Sequence, residues 1–260
     1  MKSKAFVTIF CFFWISCSSW GNPQNTSPER SGFGLEVMEY ATGNRSIPLK
    51  WPTHIAFGPG NREIITDLKN NRFVFREGPD HPFQVSPLPA RGPHSVVYNP
   101  KDKLYYANDT ENHRMIAFSD LSKPTIQAQT RKIAGINLHR PHDVVLDPST
   151  SWIYAINPSS AHVFRFTAIG ENESAIKVPL QGYARALTFT NGKLYAIGSA
   201  KGRIVEIVDW KTPAFKIYDS HDPSGRNGSS GFWAKTGLVL NDAEFFEGFW
   251  YATSYFMKQG

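Results

Sequence analysis

His94 and His142 occupy the same place in two copies of one phrase, PHSVVYNP (93–100) and PHDVVLDP (141–148). If the fold brings them together, two imidazoles and the carboxylate of Asp242 make a donor set for a divalent metal, zinc or calcium, with the Asn241 amide beside them. Zinc held by three protein groups keeps one position open for water, lowers the pKa of that water and polarises a carbonyl or phosphoryl oxygen. Arg185 could hold an anionic group through paired hydrogen bonds. The expected catalytic residues are Arg185 and Asp242. The expected metal ligands are His94, His142, Asn241, Asp242 and His54, the last one place out of register with His94. A second reading is equally physical: His and Asp at the starts of strands hydrogen-bond backbone groups or trapped water.

The remaining histidines carry less. His113 lies in a turn and is read as structural, His139 precedes Arg140 at a rim, and His162 is no stronger a candidate. His221 belongs to SHDPSGRNGSSG, which reads as a lid or as a disordered insertion. The chain has no Gly-x-Ser-x-Gly elbow, no phosphate-cradling Gly-Lys-Ser/Thr and no cysteine placed as a nucleophile, which argues against serine hydrolases, nucleotide hydrolases and thiol enzymes.

The elements that must position these groups form a repeat. WPTHIAF begins at Trp51, GPHSVVY at Gly92, RPHDVVL at Arg140, YARALTF at Tyr183 and LNDAEFF at Leu240. Each opens with an apolar run, followed in most copies by a turn (Gly-Pro, Asn-Pro, Asp-Pro, Asn-Gly) and a second apolar run. The column of His94 reads Thr53, His94, His142, Arg185, Asn241. Its spacings of 41, 48, 43 and 56 belong to a propeller or solenoid, and short strands with tight turns select the propeller. IAF, VVY, VVL and LTF are continuous rather than alternating apolar runs, as expected of strands covered on both faces. The fold class is therefore all-β, a β-propeller with five visible blades, or six if the C-terminus is truncated. GLEVMEYATG (34–43) could supply the outer strand of the last blade.

PHSVVYNPKDKLYYANDTENHRMIAF resembles an NHL repeat, whose tail is matched by Asn108-Asp109, Asn112, His113 and Arg114, and in the first copy by Asp67, Asn71 and Arg72. The resemblance covers most of 51–256 and implies the fold; proteins of this kind include enzymes, binders and scaffolds. The Pro-His-Ser phrase is also similar to peptidyl-hydroxyglycine amidating lyases, which hold zinc with channel histidines. Asn241-Asp242 is similar to the SMP-30/gluconolactonase group, which holds calcium or a transition metal at inner-strand starts. The chain departs from both, with no third histidine in register and no acidic residue in the first-blade position. What these resemblances imply is metal-assisted hydrolysis or lysis of a small organic substrate; the alternative is a non-catalytic propeller holding a glycan or protein at the channel mouth.

Bulk properties fit a globular chain of 260 residues. Lys2, Lys4 and the apolar run 5–16 read as a secretory signal spanning 1–21, too short to cross a bilayer. A flexible segment over 22–33 and a single propeller domain over 34–260 follow. The protein is expected to be secreted, or periplasmic or lipid-anchored if bacterial, and monomeric. Both cysteines, Cys11 and Cys17, fall in the signal. The net charge of +6 comes from scattered lysines and arginines, so nucleic acid is not an expected partner. Sequons at Asn25, Asn44, Asn108, Asn172 and Asn227 are candidate glycosylation sites.

Overall fold

The computed structural model describes residues 47–180, 182–199, 202–218, 238–246 and 249–256. Within them the apolar runs become the innermost strands of successive antiparallel sheets. Blade 1 holds β1 (Pro52–Phe57), β2 (Glu63–Asp67), β3 (Arg72–Arg76) and β4 (Gln84–Val85). Blade 2 holds β5 (Pro93–Asn99), β6 (Leu104–Asp109), β7 (Arg114–Phe118) and β8 (Ile126–Thr130). A short hairpin, β9 (Lys132–Ile133) with β10 (Ile136–Asn137), precedes blade 3: β11 (Asp143–Leu146), β12 (Ile153–Asn157), β13 (His162–Phe166) and β14 (Ser174–Lys177). Blade 4 holds β15 (Ala184–Thr190), β16 (Lys193–Gly198), β17 (Arg203–Asp209) and β18 (Ala214–Tyr218). Blade 5 shows β19 (Leu238–Phe246) paired with β20 (Phe249–Phe256). The five inner strands neighbour one another in chain order, which is the arrangement of a β-propeller. The signal at 1–21, the segment 34–43 and the loop 220–231 lie outside the described residues.

The core sits between blades rather than at one centre. Phe73, Phe75, Val96, Tyr105 and Phe118 fill the space between blades 1 and 2. Tyr106, Met115, Val144, Phe164 and Phe166 join blades 2 and 3, and Ile156, Val163, Leu187 and Val205 join blades 3 and 4. Each such side chain, fully removed from water, contributes about 1.5–3 kcal/mol. β2 is buried along its whole length, which explains why its sequence does not alternate.

Polar clips fix the blades to each other. Thr66 Oγ1 donates to the His94 carbonyl at 3.0 Å, Thr110 Oγ1 to that of Pro141 at 2.6 Å, and Thr188 Oγ1 to that of Ala243 at 2.5 Å. In the other direction, Ser95 Oγ accepts from Val144 N–H and Asp143 Oδ2 from Leu187 N–H, both at 2.8 Å. The repeat tail is a staple within each blade. Asp109 is fully buried, accepts from Arg91 N–H, Asn112 and Arg114, and so ties the strand leader to the turn. Asp67 does the same with Lys50 N–H, Asn70 and Arg72.

One sequence expectation is corrected here. Asn108 is a sequon, yet its side chain is fully buried and holds the β5 backbone, so no glycan fits on it in the folded chain. Among the described residues, no helix is long and apolar enough to cross a membrane.

Candidate functional site at the channel mouth

The column read from the sequence is a ring of β-bulges. In β1, Pro52 pairs with Asp67 and His54 with Thr66, so Thr53 is the extra residue. In β15 the extra residue is Arg185, between the pairs Ala184–Gly198 and Ala186–Ile197. In β19 it is Asn241, between Leu240–Ser254 and Asp242–Thr253. In β5, His94 and Ser95 together face Asn108, whose Oδ1 accepts from both of their N–H groups at 2.9 and 3.0 Å. In blade 3, His142 N–H and the paired Asp143 both address Ile156. A bulge breaks the in–out alternation and re-aims one side chain. Each blade thus delivers one residue to the channel.

His94 and His142 do converge. Their rings stack with centroids 4.0 Å apart and planes at 27°. Two neighbours fix the His142 ring: its Nδ1 donates to the Arg140 carbonyl at 3.0 Å, and its Nε2 accepts the Tyr183 hydroxyl at 2.9 Å. That pairing requires the neutral Nδ1–H tautomer. Burial lowers the His142 pKa to about 4, with Arg185 and Arg140 opposing protonation further. Burial, His142 itself and the two arginines lower that of His94 to about 2. The positive charge of Arg185 thus disfavours protonation of both rings and favours the ionised form of Asp242.

Behind the stack lies a carboxyl pair. Asp143 accepts from Val144 N–H, Leu187 N–H and the Ser95 hydroxyl. Asp242 accepts from Ala243 N–H at 2.8 Å. Asp242 keeps an exposed surface, whereas Asp143 is half-buried. Enclosure raises both carboxyls above the ordinary carboxylate range, and Asp242 raises Asp143 further.

The other sequence candidates are placed differently. His54 stands in the column of Ser95 and Asp143, outside the stack; its Nδ1 is buried without a hydrogen-bond partner, and burial lowers its pKa to about 4. Thr53 is exposed and donates to the His94 carbonyl at 2.9 Å. His113 is structural, accepting Arg140 N–H on Nδ1 and meeting His139 edge-on at 5.1 Å. Tyr183 and Asp143 were not singled out by sequence. The signal for Tyr183 was an aromatic just before the fourth copy of the column; Asp143 directly follows His142.

The donor set does not fit the metal it was read for. Among the described residues no three His, Cys, Asp or Glu side chains are grouped to hold a metal ion. His142 has both ring nitrogens engaged by protein, and a ligand bond from Nε2 would displace the Tyr183 hydroxyl. What the arrangement offers is two neutral imidazoles and a phenol in contact, with the charge of Arg185 acting on both rings. Among the described residues the His94 ring makes no hydrogen bond to protein, and it is half-buried.

No family model matches the chain, and no curated protein matches it. Its fold has solved counterparts. It is similar to a chain of a nidogen/laminin complex at 13% identity and TM-score 0.61, over 80% of this chain and 74% of that one. A streptogramin B lyase is similar at 13% identity and TM-score 0.57, over 78% and 62%. A catalytically inactive virginiamycin B lyase from Staphylococcus aureus, with quinupristin, is similar at 14% identity and TM-score 0.54, over 79% and 66%. The chain thus spans just under two thirds of the lyases it matches, and what the likeness establishes is the NHL-like β-propeller fold.

Proposed function

We propose that the channel mouth of this propeller binds a small organic anion on Arg185 and performs acid–base chemistry on it, as a lyase or as a hydrolase of an ester or lactone. The observation that carries the reading is the His94–His142 stack under the charge of Arg185, with Tyr183 fixing one ring. A neutral imidazole can accept a proton, but burial and neighbouring positive charge hold His94 far below its usual range. A carboxylate placed on Arg185 cancels part of that charge and strengthens His94 as a base as the substrate arrives. The Tyr183 hydroxyl gives its proton to the hydrogen bond with His142 Nε2 and so steadies that ring, while His94 takes the substrate's proton and returns it. Two of the structural counterparts are lyases, and in one a histidine-to-alanine change abolishes catalysis.

The test is turnover, followed by NMR, of a panel of aldonolactones and cyclic peptide lactones including quinupristin. The expected result is conversion of one class by the wild type and a loss of about 100-fold or more in His94→Gln, the range of a removed general base. Unchanged turnover in His94→Gln, or no conversion and no binding across the panel, defeats the reading. Metal analysis of the same samples separates the other route: a stoichiometric ion lost in His94→Gln would put metal-assisted chemistry in its place.

A further inference from the structure

The channel-mouth face carries an exposed arc that the channel chemistry does not use. The inner strands all begin at this face, and their leaders are joined side by side. Leu68 and Lys69 donate their N–H groups to the carbonyls of Trp51 and Lys50. Gly92 N–H donates to Asn71 Oδ1 at 2.9 Å, Glu111 N–H to the Arg91 carbonyl, and Arg140 pairs with Glu111 at 2.6 Å. The arc therefore runs unbroken across blades 1, 2 and 3.

Two properties of the arc point to a ligand. The first is charge. Its exposed cations are Lys50, Lys69, Arg91, Arg131, Arg140 and, on blade 3, Lys177. Among the described residues Glu111 is the one exposed acidic side chain on this face outside the channel, and Arg140 already pairs with it. The second is Trp51. It is 68% exposed, and its φ of 57° lies in the left-handed region that bulky residues avoid. The equivalent residue of blade 2 is a glycine. Arg140 takes the same backbone at the equivalent place of blade 3, with φ 51°, so what sets blade 1 apart is the water-exposed indole itself. The Lys69 ammonium lies 4.7 Å from the indole centroid, so an aromatic plate and a cation are already combined.

We infer that this arc is a docking surface for an acidic polysaccharide, with Trp51 stacking on the apolar face of a sugar ring and Lys69, Lys50 and Arg91 binding the carboxylates or sulfates of successive residues. One exposed plate flanked by cations suits a glycan better than single-stranded nucleic acid, which is bound by aromatics on successive bases. The surface is independent of the channel chemistry.

Wild type and variants are compared for binding to immobilised polygalacturonate, heparin, neutral dextran and oligo(dT), at low and high salt. Expected are salt-weakened binding to polygalacturonate or heparin, the preferred probe showing whether carboxylate or sulfate is read, and none to dextran. Trp51→Ala keeps the charge and is expected to weaken binding about tenfold, the worth of one stacking contact. Trp51→Phe should retain most of the affinity and confirm that the site is folded. Lys69→Ala and Arg91→Ala should each weaken it several-fold, while His94→Gln and the opposite-face Lys101→Glu leave it unchanged. Equal binding of oligo(dT), no effect of Trp51→Ala, or no binding to either acidic probe overturns the inference.

Discussion

Tyr183, in the leader of blade 4, donates its hydroxyl to Nε2 of His142, in the leader of blade 3, at 2.9 Å. The bond crosses a blade boundary and sets a protonation state, because Nδ1 must then carry the proton it gives to the Arg140 carbonyl. Tyr183→Phe should leave that tautomer in place and leave Nε2 without its donor. Imidazole nitrogen NMR should show His142 as the Nδ1–H form in both proteins, with the Nε2 resonance displaced in the variant. An Nε2–H form in the wild type would refute the assignment.

Much of the site was legible in the sequence because the propeller writes it as a column. Thr53, Arg185 and Asn241 were aligned by repeat spacing alone, and each proves to be the extra residue of a bulge. The alignment cannot supply what each residue meets on the next blade. Tyr183 opens the fourth copy but stands outside the column, and Asp143 acquires its partner Asp242 only because the fold brings separate copies together. His54 was ambiguous for the same reason: a bulge of one residue decides which face it takes. The bond from Tyr183 to His142 Nε2 is likewise a contact between copies of the repeat, which spacing within one copy does not encode.

Ser95 tests how the column is held. It is buried, its Oγ accepts from Val144 N–H on the next blade and from Asn108 Nδ2, both at 2.8 Å, and it donates to Asp143. Ser95→Ala leaves the buried Asn108 Nδ2 without its acceptor, while Val144 N–H keeps Asp143 Oδ1, and should cost about 1–3 kcal/mol. Thr53→Ala, at an exposed clip, should cost less than about 1 kcal/mol. Urea unfolding of both variants checks the contrast, and equal losses would mean that the inter-blade bonds do not carry the difference.

Gly92 has φ +55°, and a Cβ added there would lie 2.8 Å from Glu111 Cγ. Trp51 and Arg140 adopt similar φ values at the equivalent places, so the left-handed backbone alone is tolerable. Gly92→Ala should therefore destabilise by about 1–3 kcal/mol, part from backbone and part from the clash. Glu111→Ala removes the clash along with an exposed ion pair worth little. The double variant should be more stable than the sum of the single losses implies. Strict additivity in thermal or urea unfolding would show that Glu111 is not the obstacle.

Acid acts on the channel in two opposed directions. His54, His94 and His142 have folded pKa values below the unfolded one, so their contribution is present above about pH 6.5 and is lost as pH falls toward the folded values. Asp143 and Asp242 are shifted upward, so their contribution is complete below the unfolded carboxyl pKa and is lost as pH rises through the folded one. Between about pH 7 and pH 5 the imidazoles favour the higher pH and the carboxyls the lower, each uncompensated proton being worth about 1.4 kcal/mol per pH unit. Asp242→Asn removes one titrating carboxyl and relieves the other, leaving the histidine trend largely unopposed. Stability from urea midpoints should therefore fall more steeply with acid in Asp242→Asn than in the wild type. A variant profile as flat as that of the wild type, or one that rises with acid, would show that Asp143 and Asp242 do not titrate as a pair.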